Sequence, residues 1–232
     1  MSRVIIVIDA HGEVAAQTTV KSVEAIKDAI CFSQQRFAIA SSTEANFTVE
    51  VITSNDLAQT KLSPNSEIIC PLTLNIPNTL PFWGQNIFSA CRNLKSLRQQ
   101  VEQFGYKTGD TQGNKNFYLP IVLTAKGPLY GEVIRNAETT PYQQPLDLPD
   151  NQRQPLYYLA YQLLQALSAP PSVYLLQFGY EGKEIIFSSL LPFPDIPALA
   201  SIKVQEPNLF TCYWHCLTKQ AIIDLTILPK PA

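Results

Sequence analysis

The chain has 232 residues, of which 46% are hydrophobic, and a formal net charge of −2. A chain of this size and apolar content can bury a core as one large domain or two small lobes, which argues against intrinsic disorder. The slight acidity argues against binding of nucleic acid or of an anionic membrane surface, because both require clustered Lys and Arg. No apolar run approaches the about 20 residues that span a bilayer, so no integral membrane segment is expected. The apolar run at residues 4–8 is also too short for a signal peptide, and the expected location is the cytoplasm.

Residues 1–106 predict an N-terminal α/β lobe. Residues 4–8 form a continuous β-branched run, which is typical of a strand covered on both faces. The next apolar residues recur at helical spacing and predict an amphipathic helix of about three turns: Val20, Val23, Ile26 and Ile30.

The rest of this lobe predicts three strands and one long helix. Residues 37–40, 47–51 and 68–70 are short apolar or alternating runs, which are typical of strands. Apolar residues spaced three or four apart then predict a single helix over residues 85–104, and Gly105 stands where a glycine ends a helix.

Residues 117–232 predict a C-terminal lobe, separated from the first by the polar, glycine-containing segment 107–116. This lobe is expected to be mostly antiparallel and covered by helices, and one continuous domain is the alternative. The predicted elements are a hairpin of residues 118–124 and 132–134, a helix over residues 156–167, paired strands at residues 173–178 and 184–187, and strands at residues 209–216 and 222–228. The fold class is therefore α/β, with mixed α+β structure in the second half.

The five cysteines are an odd number, and several fall in apolar patterns where a free thiol packs as a small hydrophobe. Cys212, His215 and Cys216 are one ligand short of a zinc site. If residues 209–216 form a strand, His215 faces away from both cysteines. We therefore expect reduced, buried thiols at these positions rather than zinc ligands.

Asp9, His11 and Glu13 follow the first predicted strand. Open α/β sheets bind ligands beyond the carboxyl ends of their strands, so this segment is the best-placed polar group in the chain. The three side chains are candidate ligands for a divalent metal ion or a metal-bound phosphate, although their alternate spacing in a loop matches no known ligand geometry. An ordinary polar loop is the alternative.

Lys126, Gly127 and Gly131 form a candidate phosphate-binding loop. Glycines let backbone amides approach an anion, and Lys126 supplies a positive charge. Pro128 removes one of the amides that such a loop would use, and the same residues suit a plain β-hairpin turn. Both interpretations stay open.

Two groups of residues are candidate contacts for another protein. Arg92, Lys95 and Arg98 lie along one side of the long predicted helix, although a row of charges is usually a solvated face. Phe82 and Trp83 lie beside prolines and are candidate exposed anchors, because aromatic side chains are enriched at interfaces. Burial in the local core is the alternative for these two rings.

The sequence contains no complete catalytic motif. A nucleophilic triad needs a histidine base, and the chain has only 2 histidines. The Gly-x-Ser-x-Gly, Walker A and Gly-x-Gly-x-x-Gly motifs are absent. The sequence therefore leans away from an enzyme without deciding the question.

The order of elements in the second half resembles the ATP-grasp fold. A hairpin that carries Lys126 is followed by the helix at residues 156–167, the paired strands at residues 173–178 and 184–187, and a proline-marked loop. The preceding α/β lobe also suits this family. The resemblance rests on organisation, and it implies ATP and magnesium as ligands, with Lys126 on a phosphate and the segment around Asp9 near a second ligand.

The chain departs from the ATP-grasp family at the positions that bind magnesium. Members of the family typically place an acidic residue on one strand and a Glu-x-Asn pattern on the next. Here the matching strands offer Gln177, Ser188 and Ser189, which lack the charge that magnesium demands. This departure implies that catalysis has been lost.

Three hypotheses about function follow from these patterns. The first is a non-catalytic factor that acts through contacts with another protein, in assembly or regulation, with no cofactor. The alternative is a degenerate or divergent ATP-grasp-like protein that binds ATP with magnesium. The third is a metal-dependent role through Asp9, His11 and Glu13. The Gln- and Pro-rich composition also resembles that of conserved cyanobacterial proteins.

Overall fold

The fold combines a small parallel sheet with a large, mostly antiparallel sheet, and helices pack between and around them. The computed structural model describes residues 2–9, 13–41, 47–57, 59–60, 67–78, 80, 82–110, 116–136 and 142–229. The α/β fold class expected from the sequence is confirmed.

The parallel sheet has β1 (Ser2–Ile8) at its centre, between β2 (Phe47–Thr53) and β3 (Glu67–Pro71). The β-branched run of β1 is fully buried from Val4 to Val7, because this strand has a neighbour at each edge and is covered on both faces. Helix α1 (Glu13–Ser41) connects β1 to β2, as a parallel pair requires. A short helix, α2 (Ser54–Leu57), follows β2 directly.

Two helical segments of the first half differ from the prediction. Helix α1 has 29 residues, so residues 37–40, which were predicted to be a strand, belong to its last turns. The single helix predicted over residues 85–104 is interrupted at Asn93, which separates α3 (Gln85–Arg92) from α4 (Leu94–Gln103). The Asn93 side chain accepts a hydrogen bond from the backbone N–H of Ser96 at 3.2 Å, the N-cap geometry that starts a new helix.

The large sheet has the strand order β4-β10-β9-β5-β7-β8 among the described residues, and β6 pairs with β5 beside this path. Both antiparallel pairings predicted from the sequence are confirmed, β5 with β7 and β9 with β10. Its strands are β4 (Lys107–Thr108), β5 (Phe117–Thr124), β6 (Gly127–Tyr130), β7 (Val133–Arg135), β8 (Gln143–Leu146), β9 (Ser172–Glu181) and β10 (Glu184–Leu191).

The helices of the second half confirm one prediction and correct another. Helix α5 (Asp150–Ala166) is the predicted apolar-striped helix. The strand predicted at residues 209–216 is wrong, because these residues form helix α6 (Leu209–Leu217). The Asn208 side chain caps α6 by accepting hydrogen bonds from the N–H groups of Phe210 and Thr211, both at 3.0 Å.

The last predicted strand is much shorter than expected. Of residues 222–228, only β12 (Thr226–Ile227) is a strand, and it pairs with β11 (Gln205–Glu206). A 3₁₀ helix (Ile196–Ser201) precedes this pair and contacts α1, β7 and β8.

One continuous cluster of buried side chains extends from the parallel sheet to the large sheet. Helix α6 lies within it and packs against α1, β5 and β9. The buried Tyr213 hydroxyl of α6 donates a hydrogen bond of 2.9 Å to the carbonyl of Pro71, at the end of β3. The lobe division at residues 107–116 stays a prediction. Over the described ranges, no helix has the length and apolar content needed to cross a membrane.

Candidate functional site

The carboxyl ends of the parallel strands border an open crevice of 640 Å³. Asp9 follows β1 and accepts a hydrogen bond of 2.8 Å from the side-chain amide of Asn75, which lies after β3. Ser54, directly after β2, and Arg92 of α3 also line the crevice. The Arg92 guanidinium donates to the carbonyl of Ile76 at 2.8 Å, which holds a positive charge at this edge of the sheet.

A row of polar side chains, which we call the amide row, crosses the large sheet on β5, β9 and β10. It comprises Asn116, Tyr118, Gln177 and Ser189. Gln177 is paired with Tyr118 on one side and with Ser189 on the other, so the three side chains lie on one face. Ser189 Oγ donates to Gln177 Oε1 at 2.6 Å, and Gln177 Nε2 donates to Asn116 Oδ1 at 2.8 Å.

Tyr142 and Asp195 lie near Tyr118 of the amide row. The ring of Tyr142 packs edge-on against the ring of Tyr118, with 5.8 Å between centroids. Burial raises the pKa of Asp195, the nearby charge of Asp9 raises it further, and the backbone N–H of Ile196 partly offsets both effects. The pKa of the Tyr118 hydroxyl is also raised, mainly by burial. The negative charge of Asp9 therefore acts through space on Asp195.

The structure divides the predicted phosphate-binding loop: Lys126 lies in the turn between β5 and β6, whereas Gly131 follows β6 and donates to the carbonyl of Pro120 at 2.9 Å. Lys126 is exposed, and its backbone N–H donates to Thr124 Oγ1 at 3.1 Å. Gly127 has φ +125°, a conformation that other residues rarely adopt, so the turn itself requires this glycine. A Cβ at Gly131 would lie 3.1 Å from Gln205 Oε1 and 3.2 Å from Pro120 Cβ, so close packing requires the second glycine. The turn that carries Lys126 lies about 20 Å from the amide row, because it follows Thr124, six residues along β5 from Tyr118.

The candidate partner-binding residues have different environments. Phe82 is half-buried and packs edge-on against Phe88 at 5.3 Å, whereas Trp83 is 47% exposed. The three basic residues do not share one helix, because Asn93 separates Arg92 from the other two.

The two basic residues of α4 also differ from each other. Lys95 is exposed. Arg98 donates to the carbonyls of Ser188 at 3.1 Å and Gly109 at 3.2 Å, and it forms an ion pair with Asp110 at 2.5 Å. Arg98 therefore fastens α4 to β10 and to the segment after β4.

The metal ligands considered in the sequence are only partly described. Asp9 is exposed, His11 lies outside the described residues, and Glu13 is the first residue of α1. Within the described part of the chain, no three His, Cys, Asp or Glu residues cluster as metal ligands.

The helical form of α6 changes the geometry assumed for the zinc alternative, since Cys212, His215 and Cys216 now have helical spacing. Both thiols are buried, and burial raises the pKa of Cys216 to about 12 and that of Cys212 further. Cys212 Sγ contacts the carbonyl of Pro207 at 3.5 Å and Cys216 Sγ contacts that of Leu123 at 3.8 Å, as expected for reduced, buried thiols.

The positions that match the magnesium-binding residues of ATP-grasp proteins differ in chemistry from Asp9 and Asp195, which we call the acidic pair. Gln177, Ser188 and Ser189 are neutral, and two of them already bond to each other, so they do not fit a magnesium ion. Asp9 and Asp195 are two carboxylates whose charges interact, and within the described residues neither forms an ion pair with Lys or Arg. Two carboxylates fit a magnesium ion that takes its remaining oxygens from phosphates and water.

Several residues of this site were missed by sequence reasoning: Asn75, Asn116, Tyr118, Tyr142 and Asp195. Each is an isolated polar residue, and no local motif marks any of them. The one available signal was the position of Asp195 in the proline-marked loop that follows the paired strands.

No protein-family model matches the chain, and no curated protein sequence matches it significantly. Solved structures do match. Glycinamide-RNase-transformylase T from Mycobacterium tuberculosis is 12% identical, with a TM-score of 0.65 over 95% of this chain and 80% of that one. The ADP complex of purK, an N5-carboxyaminoimidazole ribonucleotide synthetase, is 11% identical, with a TM-score of 0.68 over 98% and 79%. An L-amino acid ligase from Bacillus licheniformis is 10% identical, with a TM-score of 0.64 over 94% and 74%.

These are ATP-grasp enzymes, and the likeness shows that the chain has an ATP-grasp-like fold, as the order of elements predicted. The same likeness contradicts the first functional hypothesis, a non-catalytic interaction factor without a cofactor, because the similar proteins include a synthetase and a ligase. One of them is an ADP complex, which supports the alternative with ATP and magnesium. The resemblance in composition to cyanobacterial proteins receives no support from these comparisons.

Proposed function

We propose that the protein binds a nucleotide with magnesium at the junction of its two sheets. The observation that carries this proposal is the likeness over nearly the whole chain to ATP-grasp structures, one of which is an ADP complex. Three features support this location: an open crevice at the edge of the parallel sheet, the hydrogen bond that links Asp9 to Asn75 of the crevice wall, and the row of amides and hydroxyls on the large sheet.

We assign the magnesium to the acidic pair, Asp9 and Asp195. Two nearby carboxylates repel each other, and a divalent cation between them would remove that repulsion. Magnesium in nucleotide sites is commonly bound by one or two carboxylates together with phosphate oxygens. The phosphates would then face the crevice, where Arg92 adds a positive charge. Without the metal, the same two carboxylates would repel the phosphates.

The amide row suits the base and ribose. Asn116 and Gln177 present side-chain amides with donors and acceptors, and Tyr118 and Tyr142 present rings beside them. Such groups orient a heterocycle by hydrogen bonds and by contact with aromatic faces.

Calorimetric titration of ATP and of ADP in excess magnesium tests the proposal on two charge-neutralising variants. Asp195→Asn should weaken magnesium-dependent binding by tenfold or more, on the order of one lost charged contact. Asp224→Asn, at an exposed carboxylate after α6, is the matched control and should bind as the wild type does. Equal affinities of these two variants would refute the assignment of the magnesium to the acidic pair.

Lys126→Ala distinguishes the junction from the hairpin turn as the phosphate site. Because the turn lies about 20 Å along β5 from Tyr118, the proposal expects this variant to keep wild-type affinity. A large loss of affinity in Lys126→Ala would move the nucleotide to the hairpin.

A further inference from the structure

A second cavity, of 330 Å³, lies between the end of α4, the start of α5 and the turn that joins β9 to β10. Its walls include the rings of Tyr106 and Tyr180, with Pro155 and Ile185 beside them. The Tyr106 hydroxyl donates to the carbonyl of Pro155 at 3.1 Å, which fixes this ring against α5. The volume and the aromatic walls suit a ligand about the size of one substituted ring.

The two lysines at this cavity differ in whether a carboxylate already pairs with them. Lys107 is held by Glu184 at 2.6 Å and by Glu181 at 3.1 Å, so its charge is already neutralised. Lys183, in the turn, is exposed, and none of the described ion pairs involves it. Asn151 lies in the first turn of α5, where unsatisfied N–H groups favour an anion.

Tyr180, in the cavity wall, has a buried hydroxyl that lacks a hydrogen-bond acceptor among the described residues. Burial raises the pKa of this hydroxyl to about 12, so it is a donor near neutral pH. A buried donor without an acceptor is costly, and an acceptor atom on a bound ligand would satisfy it.

The cavity is separate from the proposed nucleotide site. Tyr180 lies three residues beyond Gln177 on β9, about 10 Å away, and its side chain lies on the opposite face of the sheet. Ligand binding at either site can therefore fail without affecting the other.

We propose that this cavity binds a small, flat, ring-containing monoanion, of the class of an aromatic or heterocyclic carboxylate. The ring lies between Tyr106 and Tyr180, and the carboxylate faces Lys183 and the first turn of α5. One carboxylate oxygen accepts the hydrogen bond of Tyr180. Lys183 is the charged group that favours an anion, because Lys107 is already paired with Glu184 and Glu181.

Sodium benzoate is the probe, and NMR titration of the ¹⁵N-labelled protein is the measurement. Saturable shifts are expected at the amides of Gly105 and Asn151, which line the cavity. Benzyl alcohol and benzylamine, which have the same ring without the negative charge, should bind more weakly. The absence of saturable shifts up to the solubility limit, shifts confined to other regions, or equal affinity for benzyl alcohol would overturn the proposal.

Two variants test the polar contacts, and each has a control. Lys183→Gln should weaken benzoate binding about two- to fivefold, as expected for an exposed charge contact. Lys126→Gln, the same change in the exposed turn between β5 and β6, should have no effect. Tyr180→Phe keeps the ring and should weaken benzoate about tenfold without weakening benzyl alcohol as much. If Lys183→Gln matches Lys126→Gln, or if Tyr180→Phe binds benzoate as the wild type does, the proposed orientation is wrong.

Discussion

The hydroxyl of Tyr213 makes one of the few buried side-chain hydrogen bonds between α6 and the parallel sheet. It donates to the carbonyl of Pro71 at 2.9 Å, and Tyr213 is 1% exposed. Tyr213→Phe removes the donor without changing the ring, which leaves a buried acceptor without this bond. We expect the free energy of unfolding to fall by about 1–3 kcal/mol, the usual cost of a buried polar group that loses its partner.

Tyr180→Phe is the matched control, because it is the same chemical change at a hydroxyl that is buried without a partner. Its removal should leave the free energy of unfolding unchanged or slightly higher. Urea unfolding followed by far-ultraviolet circular dichroism measures both variants. With a denaturant slope of about 2–3 kcal/mol per molar, the Tyr213→Phe midpoint should fall by roughly 0.3–1.5 M. Equal midpoints for the two variants would refute this account of how α6 is joined to β3.

Three further predictions concern an anchor, the thiols and the acidic pair. Arg98→Ala should lower the free energy of unfolding by about 1–3 kcal/mol, because two backbone carbonyls lose a charged donor. Lys95→Ala on the same helix should change the free energy of unfolding by less than about 0.5 kcal/mol. Equal shifts of the thermal midpoint in the two variants would contradict this prediction. Titration with Ellman's reagent should modify one thiol of the native protein, the exposed Cys31, and all five after unfolding, because the other four are buried; fast modification of more than one would contradict the buried placement. The fold raises the pKa of Asp195 above its ordinary value of 3.8, so the folded state favours the protonated carboxyl. The resulting stabilisation is fully present below pH 3.8 and is lost as the pH rises through the pKa of the folded state. Without magnesium, Asp195→Asn should therefore be more stable than the wild type at pH 7, and this difference should shrink in urea unfolding at acidic pH; a difference that grows toward acid would contradict the sign.

The sequence predicted the elements whose pattern is local. The β-branched run of β1, the apolar stripe of α5 and the pairing of β9 with β10 each follow from spacing within one segment. The likeness to ATP-grasp proteins was predictable for the same reason, since it depends on the order of such segments.

Residues 209–217 show where the local pattern misleads. The segment contains Phe210, Tyr213 and Trp214, and aromatic residues favour strands. Nearly all of its residues are buried, so it has no polar stripe to reveal a helix. Packing on α1, β5 and β9 determines its structure. The missed local signal was Asn208, the residue that caps α6.

The break at Asn93 and the acidic pair were unpredictable for different reasons. Asparagine is a common N-cap, but the apolar spacing on both sides of Asn93 continues without interruption, which favoured one helix. Asp9 and Asp195 are far apart in sequence, and the charge of one acts on the other only because the chain folds. Proximity of that kind has no sequence pattern.

Calorimetric titration of ATP into the wild-type protein, with excess magnesium and again with EDTA, tests the central claim most directly. The account predicts saturable binding in magnesium and a loss of most of that affinity in EDTA, because Asp9 and Asp195 then repel the phosphates. The absence of saturable binding in magnesium would contradict the proposed function, and equal affinity in EDTA would contradict the assigned role of the acidic pair.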